Sequence, residues 1–308
     1  MPEERERLFQ IKNNLVRRAH VFALVRQFFS DCGFLEVETP SRVPAIAPEK
    51  HIEPVTCGEW YLTPSPELHM KRLLACGYDR IFQVSRAFRR GEKGRLHNPE
   101  FSLLEWYRTK SDYKDIVEDT EQLLSFIMQN IYHSHNLPYQ TQVIDMCTPW
   151  PRLTVRDAFL QYANWDPIEH YNDERFDYDM AISVIPAFDT SRPTVLTDYP
   201  AAAASLARLS RDNPKTAERA EVFIGGIEVA NIYSELNNAT EQRKRFASEA
   251  EKIEKTRQRK MPISEPFIAA LDHLPDCAGV ALGMDRLVML MCDAAFLCEV
   301  CTFTEENI

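Results

Sequence analysis

Residues 86 to 95 hold Arg86, Arg89, Arg90, Lys93 and Arg95 against one acid, Glu92. Between two predicted strands, such a loop could close over phosphate oxygens, because guanidinium forks match them bidentately. A solvated basic hairpin is the plainer alternative, and no GxxxxGK[ST] phosphate loop occurs. The following strand, "EFSLLEWYR", places Phe101, Leu103, Glu105 and Tyr107 on one face. A carboxylate among those side chains needs a partner, either protein or substrate. In "ERAEVFIGGIEVANIYSEL", a Gly225–Gly226 turn predicts a tight hairpin. It pairs Ile224 with Ile227, Phe223 with Glu228 and Glu221 with Ala230. Glu221 and Glu228 then emerge on one face as diagonal neighbours, roughly 7 Å apart. Two carboxylates there repel unless they share a divalent ion, and Mg²⁺ prefers oxygen ligands and phosphate. Simple parity sends Asn231 to the other face, so a role shared with Glu228 requires a bulge.

The elements around these residues follow from spacing. Leu15, Ala19, Phe22, Val25 and Phe29 predict one helix with Gly33 as its cap, and His20 on it as a packing residue. "FLEVETP" predicts a short strand ended by Pro40. "TPSPELHMKRLLACGY" predicts a second helix with Ser65 at the N-cap, Pro66 in the first turn and Gly77 at its close. Glu67 suits the positive end of that helix dipole or a substrate amine, and nothing local separates the two. "DYKDIVEDTEQLLSFIMQNIY" predicts a helix, and "ATEQRKRFASEAEKIEKTRQRK" a solvated one carrying the pairs Glu241–Arg245 and Glu251–Lys255. "GVALGMDRLVMLMCD" predicts a buried strand, a turn at Gly283 and an amphipathic helix. Arg286 at that helix start opposes the macrodipole unless an anion lies nearby.

Composition bounds the rest. The chain has 308 residues, 44% of them hydrophobic, and a formal net charge of −10 from 36 basic and 46 acidic residues. That length supports a substantial core, and that charge argues against broad nucleic-acid binding while leaving room for a local anion site. No apolar run approaches a membrane span or a signal-peptide core, so a cytoplasmic protein with no membrane partner is expected. The 8 cysteines are scattered, which predicts reduced, mostly buried thiols. Cys298 and Cys301 form a CxxC without a second pair, and His133 and His135 lack a third ligand, so neither predicts a metal site.

Taken together, "GFLEVETP", "FRRGEKGRLHNPEFSLLEWY" and "GVALGMDRLVML" resemble the three motifs of a class II aminoacyl-tRNA synthetase catalytic domain. "SPELHMKRLL", "RLHNPEF" and the Gly225–Gly226 hairpin resemble its lysyl branch. The resemblance covers residues 15 to 305 and implies an α+β fold, an antiparallel sheet flanked by helices, binding ATP and an amino acid. It implies catalytic roles for Arg89 and Arg286, the first on the ATP α-phosphate and the second near the γ-phosphate. Arg95 and His97 would reach the outer phosphates and Phe101 would stack on adenine; Glu92, Asn98 and Gly283 complete the ATP site. Glu221 and Glu228 would bind Mg²⁺. Ser65, Glu67, Glu105, Tyr107, Asn231, Glu235 and Ala281 would surround the substrate, with Glu235 taking a lysine-like side-chain amine.

Three positions depart from the pattern. Gly91 stands where the second motif has Glu, which leaves Glu92 to substitute through a shifted loop. Ala281 stands where lysyl enzymes have Gly, and Ser65 where they commonly have Ala, and both fit an altered amine position. Residues 1–14 are too short for the OB-fold that reads an anticodon. A single catalytic domain over 1–308 is therefore expected, with 1–14 as an N-terminal extension and no anticodon-binding domain. This combination resembles the elongation factor P–(R)-β-lysine ligases. It implies activation of β-lysine as an adenylate, transfer to a lysine of elongation factor P, a homodimer, and no tRNA partner. A truncated synthetase acylating tRNA and an inactive amino-acid-sensing relative are the alternatives.

Overall fold

The computed structural model describes residues 2–308. Helices α1 (Pro2–Gln10) and α2 (Lys12–Asp31) precede strands β1 (Leu35–Glu36), β2 (Arg42–Val43), β3 (Val55–Cys57) and β4 (Trp60–Leu62). Helix α3 (Glu67–Ala75), strands β5 (Arg80–Phe88) and β6 (Glu100–Thr109), and helix α4 (Tyr113–Tyr132) follow. Next come β7 (Asn136–Tyr139), β8 (Gln142–Asp145), β9 (Arg152–Thr154), α5 (Val155–Tyr162), α6 (Asp173–Asp179) and β10 (Thr194–Pro200). The chain continues through β11 (Thr216–Ile224), β12 (Ile227–Ser234), α7 (Ala239–Arg257), α8 (Glu265–Ala270), β13 (Cys277–Gly283) and α9 (Met284–Met291).

An 8-stranded sheet in the order β1-β5-β6-β13-β12-β11-β10-β9 carries the molecule. Its interior pairs are antiparallel, but β1 runs parallel to β5 and β9 parallel to β10, so the expected antiparallel sheet is mixed at both edges. Each edge strand arrives from a helix or loop rather than a hairpin, which is what a parallel pairing needs. Alternation then splits the sheet into two faces. Leu104 and Trp106 of β6, Ala278, Val280 and Leu282 of β13, and Ala220, Val222 and Ile224 of β11 join the core under α2, α4 and α9. Glu105, Tyr107, Gly279 and Ala281 take the opposite face, which α3, α7 and α8 cover only in part.

Helix α2 forms where expected and ends before Gly33, whose φ of +75° suits a residue without Cβ. Its buried stripe is Val21, Leu24, Val25, Phe28 and Phe29. Of the predicted stripe, Val25 and Phe29 hold, Leu15 and Phe22 are half-buried and Ala19 is exposed. His20 is exposed too, not a packing residue. The reason is tertiary: Phe29 stacks on Phe82 at 4.8 Å and lies 5.0 Å from Trp106, and that anchor rotates the helix onto the sheet. Helix α4 begins at Asp112, whose carboxylate accepts from the backbone of Lys114 and Asp115 in a capping box. The pairs Glu241–Arg245 and Glu251–Lys255 form on α7, at 2.9 and 2.6 Å. All 8 thiols are free, but only Cys277 is buried and Cys76 and Cys147 are exposed, so the expectation of mostly buried thiols fails. Among the described residues, no helix is long and apolar enough to cross a membrane.

The hairpin of β11 and β12 turns at Gly225 and Gly226, with φ of +57° and +77° as a type I′ turn requires. Pairing starts as predicted, Ile224 with Ile227 and Phe223 with Glu228. It then shifts: Val222 pairs with Ala230 and Glu221 with Asn231 rather than with Ala230. Val229 is the extra residue of a β-bulge. One inserted residue returns Asn231, Tyr233 and Glu235 to the face that already carries Glu221 and Glu228.

Candidate active site

A cavity of about 710 Å³ lies on the open face of the sheet. Its floor is a lattice set by strand register. Glu105, Ala281, Asn231 and Glu221 stand opposite one another across β6, β13, β12 and β11. The neighbouring row is Tyr107, Gly279, Tyr233 and Arg219. The middle strand β13 contributes only Ala281 and Gly279 here, so the floor is a trough with polar walls. A Cβ built on Gly279 would lie 2.1 Å from the Tyr107 ring, so the ring occupies the space a side chain would need.

Carboxylates crowd one end. Glu67, Glu105 and Glu235 are all buried. Ser65 Oγ donates to Glu105 Oε1 at 2.5 Å and the Tyr107 hydroxyl to Glu105 Oε2 at 2.6 Å. Ser65 Oγ also accepts from the Glu67 backbone N–H at 3.1 Å, although the N-cap of α3 is Pro66 rather than the expected Ser65. Lys71, absent from the sequence-based site, lies between Glu67 Oε2 at 3.1 Å and Glu235 Oε2 at 2.6 Å. Burial, reinforced by the charge of Glu67, pushes the Glu105 carboxyl up to about 8. Burial also raises Glu235, to about 7, against the pull of Lys71. Glu49, from the loop before β3, lines the same cavity, and burial and Glu67 push it to about 7.

The Glu105 shift carries a prediction. Its folded carboxyl holds a proton at pH values where the unfolded one, near 4.5, has lost it. The stability it contributes is present below that value and lost as pH rises through about 8. Glu105→Gln removes the titration. Its melting temperature should gain on the wild type progressively between pH 5 and pH 8.5, by about 5 °C at the upper end. A difference independent of pH would contradict the assignment.

Arginines mark the other end. Arg89 lines the cavity, its Nε buried without a partner and its guanidinium 5.0 Å above the Phe101 ring. Glu92 sits 3.6 Å from Arg89, on the loop turned by Gly91 at φ +76°. Arg286 donates to the Glu228 carbonyl at 2.9 Å, lies 3.6 Å from the Glu228 carboxylate and contacts His97 at 2.7 Å. Its neighbour Asp285 is locked by Arg18 at 2.5 Å and by the Ser102 N–H at 2.8 Å, which fixes the start of α9. Burial and the Glu221 charge raise the Glu228 carboxyl. That mutual repulsion is what a divalent cation relieves, so the pair fits Mg²⁺. Glu221 already gives one oxygen to Arg219 at 2.7 Å, and Arg219 lies over Tyr199 at 4.4 Å and Tyr233 at 5.5 Å.

The structure therefore brings together Ser65, Glu67, Glu105, Tyr107, Asn231, Glu235 and Ala281 with Arg89, Glu221 and Glu228. Glu92, His97, Phe101 and Arg286 attach to that set through the contacts above, and Gly283 packs beside Arg286. Arg95 and Asn98 do not join it. Arg95 donates to the Ala295 carbonyl at 3.3 Å, while Asn98 donates to Glu100 and accepts from Glu305. The remaining loop bases also turn outward: Arg86 to Glu100, Arg90 to Glu53 and Lys93 to Glu305. The predicted five-base clamp thus reduces to Arg89 in this conformation. Sequence reasoning passed over Lys71, Glu49, Arg219 and Gly279, and for Lys71 the i,i+4 spacing from Glu67 marks only a helical ion pair.

Comparison with known proteins places the chain. The profile of the tRNA synthetases class II (D, K and N) matches residues 6–307. An elongation factor P–(R)-β-lysine ligase of Edwardsiella ictaluri is 38% identical over 311 residues, covering 96% of this chain and 95% of that protein. One of Pectobacterium carotovorum is 37% identical over 327 residues, with 96% and 95% covered. A lysine–tRNA ligase of Dehalococcoides mccartyi is 35% identical over 319 residues, and there the match spans 95% of this chain but 64% of the relative's length.

Proposed function

Because this chain belongs to the class II tRNA synthetases (D, K and N), we propose that it activates (R)-β-lysine with ATP and transfers it to a lysine side chain of elongation factor P. The observation that carries this reading is the polarity of one cavity: three buried carboxylates at one end, and Arg89 with the Glu221–Glu228 pair at the other. A diamino acid needs the first and a nucleotide triphosphate the second.

The chemistry is two substitutions. The substrate carboxylate attacks the α-phosphorus of ATP in line, and pyrophosphate leaves. The acceptor amine then attacks the carbonyl of the mixed anhydride; AMP leaves, an amide forms and the amine proton goes to solvent. Neither step requires a protein nucleophile, so alignment and charge neutralisation carry the rate. Arg89 holds the α-phosphate while Phe101, freed of its guanidinium partner, stacks on adenine. Arg286 and His97 take the outer phosphates. Mg²⁺ held by Glu221 and Glu228 supplies neutralisation of phosphate charge when bound. Glu235, Glu105 and Tyr107 orient the substrate amines, and Asn231, whose buried Oδ1 lacks a partner, receives a further donor. Ser65 holds Glu105 in place. Ala281, between Glu105 and Asn231, narrows the trough by one methyl against the glycine of lysyl enzymes.

The identity to a lysine–tRNA ligase favours one second reading, acylation of tRNA. Incubating the chain with ATP, Mg²⁺, labelled (R)-β-lysine and either elongation factor P or bulk tRNA separates them. Label in elongation factor P, with a mass increase equal to lysine minus water, is the expected result. Label in tRNA alone would overturn the proposal.

A further inference from the structure

Lys71 is 2% exposed, yet its ammonium is held charged: burial works against it, and the charges of Glu235 and Glu67 outweigh that cost. An ammonium so held has no lone pair, which rules it out as an acceptor for the activated acyl group. It lies 3.1 Å from Glu67, 2.6 Å from Glu235 and 5.9 Å from the centre of the Tyr107 ring. Tyr107 in turn donates to Glu105. Resting on the function proposed above, we propose that Lys71 is a positioning residue that sets the charge of the amine end. It cancels one of three carboxylates; the two that remain, one of them the Glu105 carboxyl that gives up its proton as an ammonium arrives, match a substrate that brings two ammonium groups.

The other groups facing this end do not upset the count. From β12 comes the neutral Tyr233 and from the residue after that strand Glu235, from β6 Glu105 and Tyr107, and from β13 Cys277, whose thiol burial keeps protonated. Arg208 acts on Glu235 but is paired with Glu218 at 2.8 Å. Glu49 feels Glu67 first and then Arg89, Arg219 and Lys71, so it lies between the two ends, where burial favours its neutral form. A purely structural Lys71 would only tether α3 to β12. The two roles differ in what restores a variant.

The test uses the full chain as Lys71→Met and as the double variant Lys71→Met/Glu67→Gln, which removes one charge of each sign. Exchange of pyrophosphate into ATP is followed from pH 6 to 9 with (R)-β-lysine. Lys71→Met should raise the amino-acid KM about 100-fold at pH 7 and leave the ATP KM unchanged, because Glu235, already pushed up by burial, loses the ammonium that favours its ionised form. The KM should fall again toward pH 9. The double variant should regain the wild-type shape of the pH profile whatever its kcat. A double variant no better than the single one, or a folded Lys71→Met with the wild-type profile, would overturn the proposal. Calorimetry on the wild type in two buffers needs no variant. An analogue with one amine replaced by methyl should bind with one more proton taken up than the diamine; equal proton counts would also overturn it. A wild type that exchanges pyrophosphate with no diamino acid would instead sink the functional reading, before Lys71 is tested.

Discussion

Arg89→Ala should lower pyrophosphate exchange about 10³-fold, mostly in kcat, with the fold unchanged. Arg89 follows β5 directly, and its backbone N–H donates to the Pro99 carbonyl at 2.9 Å, so the loop closes without its side chain. What the side chain supplies is a guanidinium over Phe101 with a buried, unpartnered Nε. A buried donor left open in this way costs free energy in the empty protein and recovers it on an oxygen anion. Arg89→Lys should recover little, because an ammonium does not fork across two phosphate oxygens. Exchange kinetics with a melting curve for each variant check this. A loss under tenfold would show that Arg89 does not bear on the α-phosphate.

Gly279→Ala should be as damaging by a different route. The added Cβ would stand 2.1 Å from Tyr107 Cδ1, and the obstacle is a ring buried in the sheet rather than a flexible tip. Either β13 leaves its register with β6 or the ring swings away from Glu105. Overpacking of this kind costs about 3 kcal/mol, near the upper end of its usual range. That corresponds to a melting temperature lower by about 5 °C in a domain of this size. If the ring moves instead, Glu105 loses its 2.6 Å donor and amino-acid KM should rise steeply with ATP KM untouched. A variant that keeps both its melting temperature and its amino-acid KM would contradict this packing.

Local chemistry made much of this legible. The Gly225–Gly226 turn, the alternation along β6 and the helix start at Met284–Asp285–Arg286 each announce themselves in adjacent residues. The carboxylates at 105, 221 and 228 are visible because acids on strand faces are unusual, whereas Glu235 comes only from the resemblance to the lysyl branch. What stayed hidden depends on distant partners. Val229 has nothing in its type to mark a bulge, yet that residue decides which face Asn231 and Glu235 occupy. Lys71 reads as one more basic residue of "HMKRLL" until Glu235 arrives from just past β12. Gly279 reads as a weak strand residue until Tyr107 is seen filling its place. The outward turn of Arg95 and Lys93 depends on Ala295 and Glu305, from the end of the chain. On α2 the periodicity was present, but the angle at which Phe29 meets Phe82 and Trp106 chose the buried stripe.

One trough joins an acidic amine site to a phosphate site. The most direct test of that arrangement is amino-acid-dependent release of pyrophosphate from ATP, run with (R)-β-lysine, α-lysine, aspartate and norleucine side by side. Release with the diamino acids, strongest with (R)-β-lysine and absent with norleucine and aspartate, is the predicted result. Release driven by aspartate or norleucine would contradict it, because neither brings two ammonium groups to Glu67, Glu105 and Glu235.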